Sequence, residues 1–336
     1  MVPRLNYSLP EPLRDCGVVW GSGELAFTGE AGSGPLSLEA QWQVGVAQVN
    51  QQGPLATDLM RLLTGAQGTM GVVVWASIKC ELLPGARKCV AVTAPKLESL
   101  VDFCCRIERF RLGDEVLILN RRQFAAALGK CAGGASRSGL PEWSVLIGLA
   151  GTALYPQEKV DVQEHEFGAA ARQFGLELQE SVQGASNAEI MSCLESLSPT
   201  PHWKLAAKGG CQDVFFLTTL DKVPQFVRTV EEVTGRHGYP ASGIGVYVQP
   251  QHQGVSQHVE FSFPFDPASR SEVETVKAVY SAVSQTLIEQ GAYFSRPYGL
   301  WADLVYSRDA TASRVLRTVK QIVDPKQVLN PGKLCF

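Results

Sequence analysis

Long apolar runs are missing from this 336-residue chain. None reaches the roughly 18 to 20 residues that a membrane-spanning helix requires. An excess of basic charge is missing too: 30 Lys and Arg stand against 33 Asp and Glu, for a net charge of −3. That excludes a broad electrostatic affinity for nucleic acid or an anionic membrane surface. The first residues, MVPRLNYSLPEPLRDCG, have no apolar core or cleavage pattern, so no signal peptide is expected. Nine cysteines, an odd number with none in a CxxC pair, argue against a disulfide scaffold and against zinc or iron–sulfur ligation. They read as reduced thiols in a cytoplasmic interior. Cys104 and Cys105 are adjacent in an expected helix, where their side chains diverge.

What is present is an ordinary globular composition, 45% hydrophobic and 19% charged, long enough for two domains. Residues 16–29 read as a hairpin turning at Gly21-Ser22-Gly23, and residues 30–56 as an ordered loop. TDLMRLLTG predicts a short helix capped by Thr57 and closed by Gly65, followed by a strand from Gly71 to Leu83. Beyond Pro84 the pattern changes to strand (KCVAVTAP), helix (KLESLVDFCCRIERFRLG) and strand (DEVLILN). Helix RRQFAAALG, a flexible loop, strand WSVLIGLAG, a helix over 157–175 and strand LELQES follow. The rhythm then recurs as CQDVFFLTTL, DKVPQFVRTVEEVTGRHG, GIGVYVQP and HVEFSFPFD, with helices over 268–290 and 307–324. This predicts a duplicated α+β unit with one sheet face covered by helices.

The stretch LLTGAQGTMGVVVWASIKCELLP spaces Gly65, Gly68 and Gly71 three apart. A dinucleotide fingerprint needs strand, glycine turn and helix, and here the order is helix, turn, strand. No Lys-Ser or Lys-Thr follows, which excludes a P-loop. Two readings stay open: a turn that needs positive φ, or a loop whose backbone closely approaches a phosphate or flat ring.

GAQGTMGVVVWASIKCELLP resembles the second half of the FAD-binding domain of the vanillyl-alcohol oxidase / para-cresol methylhydroxylase (PCMH-type) superfamily. The tail IVDPKQVLNPGKLCF is similar to the closing segment of the same superfamily. The resemblance implies an α+β fold: the second subdomain of a PCMH-type FAD-binding domain (1–84), then a ferredoxin-like duplicated FAD-linked oxidase C-terminal domain serving as substrate cap (85–291). A C-terminal segment (292–336) would return to the flavin. It implies FAD contacts at Gln67, Gly68, Thr69, Gly71, Val72, Val73, Asn330 and Lys333. Relatives begin with a further subdomain carrying a pyrophosphate loop. Its absence here reads as a truncated or fragmentary frame, with a separate chain supplying that half as the alternative. The lone 1–84 piece would then expose strand edges and apolar residues, so the isolated chain is expected to associate and to bind FAD weakly.

In SQHVEFSFPF, alternation puts His258, Glu260 and Ser262 on one face and Val259, Phe261 and Phe263 on the core face. The pattern favours a polar substrate contact or a solvated strand face over a metal held by His252, His258 and Glu260. Relatives' metal-binding His-x-Gly-Asp-Gly-Asn stretch is absent, so no metal is expected. The resemblance implies a charge-stabilising role for Arg296 in YFSRPYGLWADLVYSRD, against the alternative of a loop arginine in a surface ion pair. Tyr298 reads as an orienting phenol or simple packing, Gln249 as a substrate contact, and His258 as a general base. The chemistry implied is hydride transfer from the C–H of a hydroxy acid, alcohol or phenolic substrate to flavin N5, with an unidentified electron acceptor. A different class of reading also stands: a non-catalytic or partial subunit binding a ligand or partner through its α+β domain. A plain ferredoxin-like regulatory domain would leave both terminal motifs without a role.

Overall fold

The computed structural model describes residues 13–28, 37–44, 59–78, 80, 82–132, 139–152, 154–195, 202–251 and 254–336. Among them the chain forms two compact units. A split unit combines the described part of Asn6–Glu81 with Arg296–Phe336, and a central unit spans Leu82–Ser295.

The split unit opens with the hairpin β1 (Leu13–Trp20) and β2 (Leu25–Phe27). Gly23 turns it at φ 92°, a conformation that glycine adopts without a Cβ clash. Helix α1 (Leu38–Gln43) follows, with the Ser37 side chain accepting from Ala40 N–H as its N-cap. It lies inside the stretch expected to be a loop, most of which falls outside the described residues. Helix α2 (Met60–Leu63) is a single turn, and Thr57, its expected cap, also lies outside the described residues. Strand β3 (Gly71–Ile78) pairs antiparallel with β1, giving the order β2-β1-β3. Its last residue, Ile78, faces Leu13, and the described positions 80, 82 and 83 within the expected extension to Leu83 are not strand.

The central unit begins with β4 (Ala86–Ala94), α3 (Glu98–Arg109), β5 (Glu115–Asn120) and α4 (Arg121–Ala132). Then come β6 (Trp143–Gly151), α5 (Pro156–Gln173), β7 (Leu178–Gln179) and α6 (Asn187–Glu195). A 3-10 turn (Trp203–Ala207) leads into β8 (Gly210–Thr218), α7 (Val223–Arg236) and β9 (Gly245–Gln251). Strand β10 (Ser256–Phe265) and α8 (Arg270–Glu289) complete it. The chain then returns to the split unit as α9 (Leu300–Tyr306) and α10 (Ala310–Val323).

All pairings in the central sheet are antiparallel, in the order β7-β4-β6-β5-β9-β10-β8. The first four strands are a β-α-β-β-α-β motif in ferredoxin-like order. The remaining three repeat it in mirror sequence along the sheet. The missing fourth strand of the second half is a single bridge, Leu217 to Tyr293, closed by hydrogen bonds of 2.8 and 3.0 Å. The halves join at their second strands, where Ile118 faces Val248 and Leu119 faces Tyr247. The sheet is therefore a duplicated α+β unit.

Helices cover more than the one face expected. One face carries Val90, Val116, Ile147, Val248, Val259, Phe261 and Phe216, all buried. Phe216 stacks on Phe261 and meets Phe226 of α7 edge to face with centroids 5.0 Å apart. On the opposite face of the first half, Ala91, Leu117, Leu119 and Leu146 pack with Phe124 and Leu128 of α4 and Ile190 of α6. Helix α6 escaped the sequence reading because its apolar residues are few and polar ones interrupt them.

Candidate functional site

In the split unit the glycine-rich loop leaves α2 and enters β3. Its three glycines are small for two different reasons. Gly65, which ends the helix at φ 77°, and Gly68, at φ 73°, both need glycine for their backbone. At Gly71 a Cβ would lie 2.5 Å from Val18 Cγ2, so close packing against β1 requires it, independent of any ligand. Around Gly68 an added Cβ would meet only Asn330 Nδ2, at 3.8 Å. That open backbone fits a flat group lying along the loop. Val72 and Val73 beyond it leave about half their surface exposed (53% and 48%), while Thr69 is buried.

Residues far apart in sequence converge on this loop. Gln67 Nε2 donates to Pro297 O at 3.0 Å, which ties the loop to the Arg296–Tyr298 segment. Asn330 Nδ2 donates to Gln67 O at 2.5 Å. Both Gln67 (φ 53°) and Asn330 (φ 42°) adopt left-handed backbone, a conformation that costs a non-glycine residue about 1 to 3 kcal/mol and persists only where surroundings enforce it. Lys320 supplies part of that enforcement. Its buried ammonium donates to Thr69 O (2.5 Å), Leu329 O (3.0 Å) and the Asp324 carboxylate. Asp324 also accepts from Val328 N–H and Leu329 N–H, and these donors with Lys320 hold its carboxyl below the usual range although burial opposes them. Arg296 is half-buried, and desolvation lowers its pKa against the opposing pull of Tyr298, so a wholly surface arginine is not what the fold contains. Tyr298 is exposed and so is Lys333.

The central unit holds the second group, on the second half of the sheet face that α4 and α6 pack against, beginning where Tyr247 joins their cluster. Strand registers bring Tyr247, Gln249, His258, Glu260, Ser262 and Asp213 to one face, because Gln249 faces His258, Tyr247 faces Glu260 and Ser262 faces Asp213. Lys204, from the 3-10 turn, donates to Asp213 Oδ2 (2.7 Å) and Glu260 Oε1 (2.5 Å). Glu260 Oε2 lies 3.8 Å from His258 Nε2. Burial works to raise the Glu260 pKa, but His258 and Lys204 hold it well below the usual carboxylate range. Burial depresses Lys204, and the two carboxylates more than reverse that. Ser262 Oγ donates to Asp213 Oδ1 at 2.7 Å, and the Tyr247 hydroxyl donates to Gln249 Oε1. The His258 ring meets Phe215 and Tyr247 at centroid distances of 5.8 and 5.9 Å.

This face is not the solvated strand surface that alternation alone allows. His258, Ser262 and Gln249 are about as buried as the core residues behind them. One ammonium opposes two carboxylates here, and the His258 ring lies beside the second of them. His252 lies outside the described residues, and among those described no three His, Cys, Asp or Glu side chains are arranged to hold a metal. Lys204, Asp213 and Tyr247 were not legible in the sequence as site residues. Asp213 had no periodic signal, since its face along CQDVFFL is otherwise Cys211, Phe215 and Leu217, whereas Lys320 had one in its i,i+4 spacing from Asp324. Lys204 had none, since only the fold brings its turn to β8 and β10.

Residues 83–334 match the family described as FAD linked oxidases, C-terminal domain. A D-2-hydroxyglutarate dehydrogenase of Stutzerimonas stutzeri (strain A1501) is 25% identical, over 88% of this chain and 65% of its own length. Among solved structures, a substrate-bound p-cresol methylhydroxylase superposes with a TM-score of 0.66 at 16% identity, over 93% of this chain and 63% of its own. A 4-ethylphenol oxidase from Gulosibacter chungangensis, in complex with isoeugenol, gives 0.67 at 16% identity, over 95% and 65%. The chain thus spans somewhat less than two-thirds of the length of these relatives. Among the described residues no helix is long and apolar enough to cross a membrane.

Proposed function

The chain belongs to the FAD-linked oxidases through their C-terminal domain, and from that premise we propose that it is an FAD-dependent oxidoreductase acting on a small hydroxylated substrate. The observation that carries the reading is the buried His258–Glu260–Lys204–Asp213 cluster, which gathers four ionisable side chains on one face of the sheet. FAD, when bound, would supply the two-electron acceptor for the hydride of a substrate C–H bond. The chain's own residues handle the rest. His258 takes the hydroxyl proton as general base, and Glu260 behind it stabilises the imidazolium that results. Lys204 keeps Glu260 ionised for that task. Gln249, oriented by Tyr247, and Glu260 hold the substrate's polar groups. In the split unit, Gln67, Gly68, Thr69, Gly71, Val72 and Val73 hold the cofactor chiefly through backbone, with Asn330 and Lys333 beside them. Arg296, with Tyr298 near it in sequence, supplies positive charge where negative charge develops. The relatives' names divide between a hydroxy acid and phenols, and the substrate class proposed covers both, with alcohols.

The test is anaerobic stopped-flow reduction of the FAD-loaded protein across hydroxy acids, alcohols and phenols. Arg296→Ala and His258→Asn should each slow reduction by about two orders of magnitude or more. A reductive rate unchanged in both variants would remove these residues from the mechanism.

A second reading concerns completeness. Among described residues of the split unit, Val72, Val73, Val74 and Ile78 on edge strand β3 are exposed, as are Val315 and Ile322 on α10. These surfaces favour completion of the cofactor site by the polypeptide corresponding to the third of the relatives that this chain does not span. Stoichiometric FAD retention by a monomer of this chain alone would refute that.

A further inference from the structure

Helix α10 turns the partly buried Leu316, Val319 and Val323 inward as an amphipathic helix should, yet the most deeply buried positions on that inner face are polar. Its buried residues are Ser313 and Lys320, while Val315 and Ile322 are exposed at 55% and 72%. Burying an ammonium is costly unless each of its donors finds a partner. Lys320 does find three, and each belongs to a different piece of chain: the glycine-rich loop at Thr69, the helix end at Asp324 and the tail at Leu329. The loop and the tail held in this way both contain strained backbone, at Gln67 and Asn330, and Asn330 reaches across to Gln67 O. Thr69 Oγ1 is already turned back to Ala66 O at 2.7 Å, so the loop's shape is fixed from inside as well.

We propose that Lys320 is the positioning residue of the cofactor loop: it holds Gln67 and Gly68 in the strained arrangement that receives the cofactor, without touching the cofactor itself. The proposal rests on the FAD reading above. Strain at a loop and tail, enforced by one buried cation, is what pre-organisation for a ligand looks like. A helix needing only packing would carry an apolar residue at position 320, between Leu316 and Val323 on its inner face. Arginine is no substitute, because its planar fork suits a bidentate partner, and these three oxygens lie on three separate segments.

The experiment compares wild type, Lys320→Met, Lys320→Arg and Asp324→Asn by amide hydrogen exchange without FAD, and by fluorescence titration with FAD. Loss of the charged hydrogen bonds in Lys320→Met should accelerate exchange over 66–70 and 328–332, and weaken FAD binding, each by about ten- to a hundredfold. Exchange in β1 and in the central unit should stay as in wild type. Asp324→Asn, which keeps both carbonyl partners of Lys320, should change the same segments less, and Lys320→Arg should not restore wild-type behaviour. Unchanged loop exchange in Lys320→Met overturns the proposal, as does a loosened loop with unaltered FAD affinity. Faster exchange throughout the split unit in both Lys320→Met and Asp324→Asn would make Lys320 a general stabiliser and overturn it too. A loosened loop with no FAD binding even by wild type, when the titration is repeated with the polypeptide corresponding to the unspanned third of the relatives added, would overturn the cofactor reading beneath it.

Discussion

Glu108 should make the central unit less stable as pH rises through neutrality. It sits on α3 with its carboxyl turned inward, accepting from Gln257 Nε2 at 2.9 Å. Burial pushes its pKa from 4.5 up to about 7, against the smaller opposing effect of that hydrogen bond. Two buried oxygens nearby, Glu108 Oε1 and Gln257 Oε1, have no hydrogen-bond partner, and a single proton on Glu108 would serve both. The folded state therefore binds a proton that the unfolded state releases between about pH 4.5 and 7. For a raised folded pKa the stabilising contribution is complete below the unfolded value and is lost as pH climbs through the folded one. A shift of about 2.5 pH units corresponds to roughly 3 kcal/mol. Glu108→Gln puts a neutral amide in the same space, with an N–H for Gln257 Oε1. Urea denaturation of wild type and variant should agree within about 1 kcal/mol near pH 4.5 and diverge by roughly 3 kcal/mol near pH 8, with the variant more stable. Parallel stability curves across that range would refute the argument.

Lys204→Met should destabilise the central unit by about 3 to 5 kcal/mol, because it leaves Asp213 and Glu260 buried without their cation. Calorimetry of Lys204→Met with Glu260→Gln added should recover part of the loss, and no recovery would mean that packing dominates. Burial raises the thiols of Cys89 and Cys211 to about 12, with Asp213 adding to the effect at Cys211, whereas Cys80 is exposed. Iodoacetamide at mildly alkaline pH should label Cys80 and spare those two, as read by peptide mass spectrometry; labelling of Cys89 in the folded protein would contradict its burial. Val73→Lys places a charge on edge strand β3 and should reduce self-association in sedimentation velocity. An identical sedimentation profile would show that this edge is not the sticky surface.

Much of the central unit was legible because strand and helix periods alternate there without interruption, as in WSVLIGLAG and in Pro156–Gln173. The face shared by His258, Glu260 and Ser262 was legible from alternation as well. Its burial was not, since alternation tells which residues share a face and says nothing of what lies over it. Gly71 shows the same limit: spacing left a turn or a ligand approach open there, and the Val18 side chain supplies a reason for its size that no local pattern carries. Helices α1, α6 and α9 are short and of mixed polarity, so their periods are too weak to read locally. Lys204 joins Asp213 and Glu260 only through the register of β8 on β10, which no local pattern encodes.

Two copies of one motif share a continuous sheet, and they spend the same face differently. In the first copy that face is sealed by α4 and α6 over Ala91, Leu117 and Leu146. In the second, equivalent strands present His258, Glu260 and Asp213. An isolated motif with so polar a face would have only one side left to build a core. Fused edge to edge at β5 and β9, the second copy draws its rigidity from the first and from the apolar face they hold in common. The polar residues of the second copy are thereby carried on a sheet whose shared apolar face supplies the core for both copies.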